Sequence, residues 1–352
     1  MARKAKNENH WAVVVGINRY PGYDGRNLVC PAKDAEAFES WLLDPAGGNL
    51  PQKNIQRVSK VLPKKMTIKN AAPTERAIHD AIQKAYLDGH AVVQKKASAW
   101  AKTRLYLFLS GHGISLHPED ASLQGADAHE KSPGRYVSSS ALKNFFQVQP
   151  YFRDLVIFAD CCRDDYITKL KEPKVLDWEG GQAVGGGPPE IVILYAAEFG
   201  DRTSEETDGP EEERQSYFTR CLLEALHGDP SSSKTVDASG IFKRIKCLYG
   251  QLAQTKPNVG TMRALMTDPD MKFGVTGKTP GYRTELKAPH ATFVRVRGDG
   301  DYIPLSSDDT PGTFSAFLPA GKYEVQFAGK NRKYKTHPDW LTVLPGYNEK
   351  TL

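Results

Sequence analysis

Two adjacent cysteines, Cys161 and Cys162, close an apolar run in the segment FADCCRDDY (158–166), with aspartates on both sides. Thiols placed this way can bind a metal, form a redox pair, fill a core or act as a nucleophile. A metal site needs three or four ligands at suitable spacing. Neighbouring side chains diverge, and the chain has no CxxC and no second Cys/His cluster. A vicinal disulfide is strained and rare. Successive residues leaving a strand point to opposite sides, so one cysteine is expected in a core and the other exposed. A thiol nucleophile also needs a base, oxyanion donors and access to substrate. The candidate base is His112, which follows a second apolar run in LYLFLSGHG. A lone histidine is more often a surface or satisfied core residue, but flanking glycines allow a ligand to approach closely. A base there can take a thiol proton or give one to a leaving amine. These residues alone leave open which cysteine reacts.

The elements that must hold these two ends are legible. WAVVVGI (11–17), RLYLFLS (104–110), DLVIFAD (154–160) and EIVILYAA (190–197) read as strands buried on both faces, with NIQRVSKVL (54–62) as a further strand. Helices are expected at 31–44, where Pro31 opens and Ala35, Phe38, Trp41 and Leu42 share a face, and at 73–89, closed by Gly89. Others are expected at 138–147, 216–228 and 239–254. Strands alternating with helices over 10–280 predict a mostly parallel sheet covered on both faces. Functional residues of such sheets gather beyond the carboxyl ends of the strands. Three long loops interrupt the pattern, at 114–137, 163–189 and 200–215; loops this long are usually functional or disordered, and part of each is expected to be a solvated insertion. Near 285 the pattern changes to short strands such as ATFVRVRG, GTFSAFLP and GKYEVQFAG. The expected organisation is a flexible tail at 1–10, an α/β domain at 11–280 and a small antiparallel β domain at 286–352. KTPGYRTELKAPH reads as the linker, and no internal repeat or heptad is found.

Composition narrows the class. The chain has 352 residues, 39% of them hydrophobic, and a formal net charge of +5. That is enough apolar content for a full core, and too mild and dispersed a charge for nucleic-acid binding. No run approaches the roughly 20 apolar residues of a membrane-spanning helix. The basic start is followed by too short an apolar run for a signal peptide. Five scattered cysteines argue against a disulfide scaffold, so a reducing cytoplasm is the expected location.

SGHG and DCC, each after an apolar strand, resemble the His and Cys motifs of the caspase-like clan: caspases, metacaspases and their bacterial relatives. The spacing of His112 and Cys162 matches the about 50 residues of caspases. The resemblance covers 11–260 through WAVVVGINRYPGYDGRNLVCPAKDAEAF, ILYAAEFGDRTSEE, SYFTRCLLEAL and QTKPN. It implies a caspase-hemoglobinase-like three-layer αβα sandwich. DCC resembles the Asp-Ser-Cys of metacaspases, which assigns Cys162 as nucleophile and Cys161 to packing. His112 becomes the acid/base, and the backbone N–H groups of Gly113 and Cys162 the oxyanion hole.

Metacaspase-like enzymes build their P1 pocket from positions that match Asp34, Ser110 and Asp160. The implied activity is therefore a cysteine endopeptidase cleaving protein substrates after Arg or Lys, in a bacterial defence or regulated cell-death pathway. Caspases instead place arginines in the pocket and take Asp, and no such arginines stand at the matching positions. The remaining alternatives are an acidic P1 preference, a catalytically silent caspase-like scaffold and a thiol redox protein. No cofactor is assigned, and calcium dependence is left open without support from the sequence: calcium-dependent metacaspases carry a dense acidic segment, and here Glu119, Asp120, Asp127 and Glu130 are loosely spaced. Lys169, Lys171, Lys174, Arg202 and Arg214 are candidate processing sites, and an activating protease or a regulatory partner bound by the C-terminal domain is envisaged.

Overall fold

Alternating apolar residues on long buried strands build the larger part of the molecule. The computed structural model describes residues 6–23, 26–58, 66–131, 134–165, 178, 187–228, 235–254, 256, 259–275, 281–298, 301–308, 310–345 and 347–351. The chain runs through β1 (His10–Gly16), α1 (Pro31–Leu43), β2 (Ile55–Val58), α2 (Glu75–Lys95) and β3 (Arg104–Gly111). Three short strands follow: β4 (Gly113–Ser115), β5 (Ser122–Gln124) and β6 (Tyr136–Ser138). Then come α3 (Ser139–Val148), β7 (Asp154–Cys161), β8 (Asp164–Asp165), β9 (Glu190–Tyr195), α4 (Tyr217–His227), β10 (Thr235–Asp237), α5 (Ala238–Leu252), β11 (Arg263–Met266) and β12 (Lys272–Val275).

The central sheet has the order β11-β9-β7-β3-β1-β2. Every pairing is parallel except that of β11 with β9. Strand residues of one parity pack under α1, α4 and α5, with Tyr106, Phe108, Val156 and Phe158 against Phe38 and Leu222. Residues of the other parity, such as Leu107, Leu109 and Ile157, pack with α2 and α3 through Ile78, Ile82 and Phe146. This is the expected three-layer αβα arrangement, and no helix among the described residues is long and apolar enough to cross a membrane. The buried base of the sheet is held by Arg104, whose Nε and Nη2 donate to Asp154 Oδ2 at 2.9 and 2.6 Å.

Several expectations need correction. Gly89 does not close α2: the helix continues to Lys95, because its apolar stripe resumes at Val93 and Gly89 packs against Phe152. The strand expected at 54–62 is Ile55–Val58, and 59–65 lie outside the described residues. The loop 114–137 is not a solvated insertion. It forms most of a second sheet, β6-β5-β4-β8, with Ala121, Leu123, Ala126 and Ala128 buried. Its short apolar positions cover the α2 layer. The presumed linker holds a strand, β13 (Tyr282–Lys287), with Tyr282, Thr284 and Leu286 facing inward. The alternation of apolar and polar side chains there is the signature of a half-buried strand.

The remaining elements are β14 (Phe293–Arg297), β15 (Ile303–Pro304), β16 (Ser306–Ser307), β17 (Thr313–Leu318), β18 (Gly321–Ala328), β19 (Lys335–Thr336), β20 (Leu341–Val343) and β21 (Asn348–Thr351). They form two mainly antiparallel sheets, β16-β17-β13-β21 and β15-β14-β18-β19, around a core that includes Leu286, Val296, Leu318 and Val325. One pairing, β13 with β21, is parallel.

Phe158 is fully buried, with ring centroids 5.6 Å from Phe38 and 6.2 Å from Phe273. Phe158→Ala should lower the unfolding free energy by ~3–5 kcal/mol, measured by denaturant titration.

Candidate active site

β3 and β7 are parallel neighbours in register, with Ser110 beside Asp160 and Gly111 beside Cys161. Their continuations β4 and β8 also pair, Ile114 beside Asp164. The two apolar runs therefore end together. A cavity of about 470 Å³ opens there, and His112, Gly113, Cys162, Asp34, Ser110 and Asp160 all line it. The structure thus brings every sequence-selected site residue to one cleft. The pleat separates the two cysteines. Cys161 is fully buried on the α2 side, while Cys162 is partly accessible.

His112 is fixed on several sides. Its backbone N–H donates to Tyr20 Oη at 2.8 Å, and its carbonyl accepts from Gln124 N at 2.9 Å. Its ring lies 4.6 Å from that of Tyr20. Nε2 lies 2.5 Å from the Arg26 carbonyl oxygen. A carbonyl only accepts, so Nε2 carries a proton and Nδ1 is the basic nitrogen of the neutral ring. Burial lowers the His112 pKa. Gly111 has φ +155°, and a side chain there would collide with the Tyr20 hydroxyl. Gly113 is required by close approach: a Cβ would stand 2.4 Å from the Cys162 carbonyl oxygen and 2.6 Å from Cys161 Sγ.

Burial pushes the Cys162 thiol up to about 11. Its S–H donates to the Thr203 carbonyl at 3.7 Å. Both groups are thus neutral near pH 7, as thiol and imidazole. The next residue, Arg163, is fully buried, and among the described residues no carboxylate pairs with its guanidinium. Nε donates to the Asp120 carbonyl at 2.8 Å, Nη1 to that of Ala197 at 3.1 Å and Nη2 to that of Pro118, and the group lies 4.5 Å from the Tyr195 ring centroid.

Asp34 and Asp160 are 0% and 2% exposed. Asp34 lies on the same helical stripe as Ala35, Phe38 and Trp41, which faces the sheet. Its Oδ1 accepts from Ser216 N at 3.1 Å, and its Oδ2 from Ser110 Oγ at 3.4 Å. Asp160 Oδ2 accepts from the hydroxyls of Ser216 and, at 2.6 Å, Thr219. Among the described residues, Asp160 Oδ1 is buried with no hydrogen-bond partner. Burial raises both carboxyl pKa values, Asp34 well above the usual range and Asp160 to about 6. The hydroxyls of Ser216 and Thr219 draw Asp160 back towards ionisation.

Among the acids of 114–131, Asp120 is a structural hub. Its carboxylate accepts from Ser122 Oγ at 2.6 Å, Ser138 Oγ at 2.8 Å and Ser140 Oγ at 3.0 Å. Among the described residues, no group of three or more His, Cys, Asp or Glu is placed to hold a metal ion.

The family described as the caspase domain matches residues 9–248. The chain belongs to the caspase domain family. As a caspase-domain chain it is 26% identical over 235 residues to a relative named a probable protease, from a Desulfuromonadales bacterium. The match covers 62% of this chain and 26% of that relative, so the chain spans about a quarter of the relative's length. Caspase-1 of Spodoptera frugiperda is 12% identical, with a TM-score of 0.42, covering 79% of this chain and 93% of that one. A structure titled pro-sf-caspase-1 is 10% identical, with a TM-score of 0.39, covering 78% and 92%.

Sequence reasoning passed over Tyr20, Arg26, Thr203, Ser216 and Arg163. Arg26 and Thr203 act through main-chain carbonyls, which leave no residue-type signal. Ser216 had one: it begins a helix as its N-cap. The acidic segment 200–215, expected as solvated, lines the cavity through Arg202, Thr203, Ser204 and Glu205. Of the candidate processing residues, Arg202 is exposed and ion-paired with Asp164 at 2.9 Å, and Arg214 is half-buried. Lys169, Lys171 and Lys174 lie outside the described residues.

Alkylation of Cys162 by iodoacetamide, read by peptide mass spectrometry, should accelerate about tenfold per pH unit between pH 7 and 10, following the thiolate fraction.

Proposed function

We propose that this protein is a cysteine endopeptidase that cleaves protein chains after Arg or Lys. The observation that carries this reading is a single cavity holding His112, Cys162 and two buried carboxylates, one with an oxygen that has no partner among the described residues. A buried acceptor without a donor is costly and calls for a cationic partner. The Arg guanidinium is planar and offers five donors, and the Lys ammonium offers three. Asp34, Ser110 and Asp160 form the P1 pocket in this reading. An acidic P1 side chain would meet the Asp160 charge and the acceptor oxygens of Asp34 there.

The proposed chemistry follows from the placement of the protons. Substrate in the cleft displaces the thiol from the Thr203 carbonyl. The Cys162 proton passes to His112 Nδ1 while Sγ bonds to the scissile carbonyl carbon. The carbonyl oxygen becomes an oxyanion, stabilised by the backbone N–H groups of Gly113 and Cys162. His112 then gives the proton to the departing amine, which leaves an acyl group on Cys162. Water attacks this thioester, its oxygen bonding to the acyl carbon and one proton passing to His112; the C–S bond breaks, His112 returns that proton to the Cys162 sulfur, and the acid product leaves. The Arg26 carbonyl holds the ring so that Nδ1 stays the working nitrogen. The setting proposed on the family resemblance is a bacterial defence or regulated cell-death pathway.

Fluorogenic peptides ending in Arg, Lys or Asp test this reading. Arg and Lys peptides should be hydrolysed and Asp peptides not. Cys162→Ala and His112→Ala should each lose at least about 10³-fold in turnover, while Cys161→Ala keeps it. Hydrolysis of none of the peptides would overturn the enzyme reading, and cleavage confined to Asp would overturn the pocket.

The pH dependence has a defined sign. As pH falls through about 6, Asp160 takes a proton and its pull on a cation is lost, so KM for Arg peptides should rise. The fall in kcat should begin below the pH of an ordinary histidine, because burial keeps His112 neutral further into acid. Asp160→Asn should cost ~2–5 kcal/mol in kcat/KM on Arg peptides and abolish the KM limb near pH 6.

A further inference from the structure

The cleft wall 202–205 is held between the α/β part and the C-terminal sheets by two successive carboxylates. Residues 204–206 run beside 215–217: Glu206 N donates to the Gln215 carbonyl at 3.1 Å and Tyr217 N to the Ser204 carbonyl at 3.4 Å, with Glu205 opposite Ser216 in antiparallel pairing. Neighbouring side chains in an extended segment point to opposite sides. Glu205 accepts from the N–H groups of Val29 at 2.9 Å and Cys30 at 2.7 Å, just before the helix that carries Asp34. Glu206 points the other way and is only 2% exposed. Its Oε2 accepts from Arg220 Nη2 at 2.6 Å, and its Oε1 from the backbone N–H of Tyr347.

Tyr347 immediately precedes β21, so one buried carboxylate joins the cleft wall, α4 and the C-terminal sheets. Further contacts make the same joint continuous. Leu344 packs against the core under α1 and α4. Tyr282 Oη donates to Glu224 Oε2 at 3.1 Å, and Glu224 is 1% exposed. Arg283 pairs with Glu213 at 3.4 Å.

We infer that the C-terminal β sheets are a working part of the substrate cleft, with Glu206 as the positioning residue that fixes the wall 202–205 to them. A buried carboxylate with donors from two separate elements resists separation, because losing Arg220 leaves a buried charge unpaired and losing the Tyr347 N–H leaves a buried oxygen without its donor. The wall therefore cannot shift without the sheets. It carries the Thr203 carbonyl that accepts the hydrogen bond of the Cys162 thiol, and it stands opposite Ser216, which touches both pocket carboxylates. The inference rests on reading the cavity as the substrate cleft.

The full chain carrying Glu206→Gln is compared with wild type in two measurements. In kinetics on an Arg peptide, KM should rise about tenfold or more, the effect of losing one charged hydrogen bond, with kcat little changed. In amide hydrogen exchange, 201–206 and the Val29 and Cys30 N–H groups should exchange faster, while α2 on the far face stays as in wild type. Glu206→Asp keeps the charge but shortens the reach, and should fall between the two. It also serves if the glutamine variant does not fold. Unchanged KM and unchanged exchange at 201–206, with only a lower Tm, would overturn the inference and leave the joint purely structural. If wild type cleaves no basic peptide, the function reading fails, and the exchange result still decides whether the sheets hold the wall.

Discussion

The cleft depends on the parallel register of β3 and β7. Because Ser110 lies beside Asp160 and Gly111 beside Cys161, both strands deliver their polar ends to the same edge at the same level. A slip of one residue would turn every side chain of one strand to the opposite face. Asp160 would then leave the α1 side, and the sorting of Cys161 into the core and Cys162 into the cleft would be lost. The register is held by apolar packing on both faces and, at the base, by the buried Arg104–Asp154 ion pair. The geometry of the chemistry is thus set by side chains far from it.

The same close packing makes the polar groups at the cleft expensive. Two carboxylates in a dry layer resist ionisation, which is why burial raises both of their pKa values. The molecule offsets this with the N-terminus of α4, where the Ser216 and Thr219 hydroxyls donate to Asp160 and the helix dipole favours negative charge. The compensation is incomplete at Asp160 Oδ1. Behind Cys162 the problem is inverted: the Arg163 cation is held by three carbonyl oxygens and a tyrosine ring, with the serine-bound Asp120 carboxylate nearby in the same network. Buried networks of this kind are rigid because each member, once unpaired, costs more than it returns.

Connections between elements supply what the strands cannot. The stretch after β1 brings Tyr20 and the Arg26 carbonyl onto His112 and so sets the tautomer of its ring. The segment before α4 forms the opposite wall and is gripped by α1 on one side and by the C-terminal sheets on the other. Interior-grade contacts such as Tyr282 with Glu224 distinguish this junction from a tethered appendage.

Local patterns in the chain determined a good deal. Continuous apolar runs announced strands buried on both faces, and 3.6-residue stripes announced the helices between them. Two such runs ending in SGHG and DCC placed His112 and Cys162 at strand ends. These features depend on neighbours within one or two turns of chain, so they can be read without the fold. Asp34 was singled out only by the family resemblance; its place on the buried stripe of α1 came from the structure. Other features required tertiary structure. The buried sheet within 114–137 and the strand in 278–290 were missed because short strands with few apolar residues gain their stability from partners distant in sequence. The carbonyls of Arg26 and Thr203, the bridge made by Ser216 and the burial of Glu206 were invisible for a related reason. Main-chain groups look alike at every position, and a carboxylate in a polar stretch reads as solvated until another part of the chain covers it.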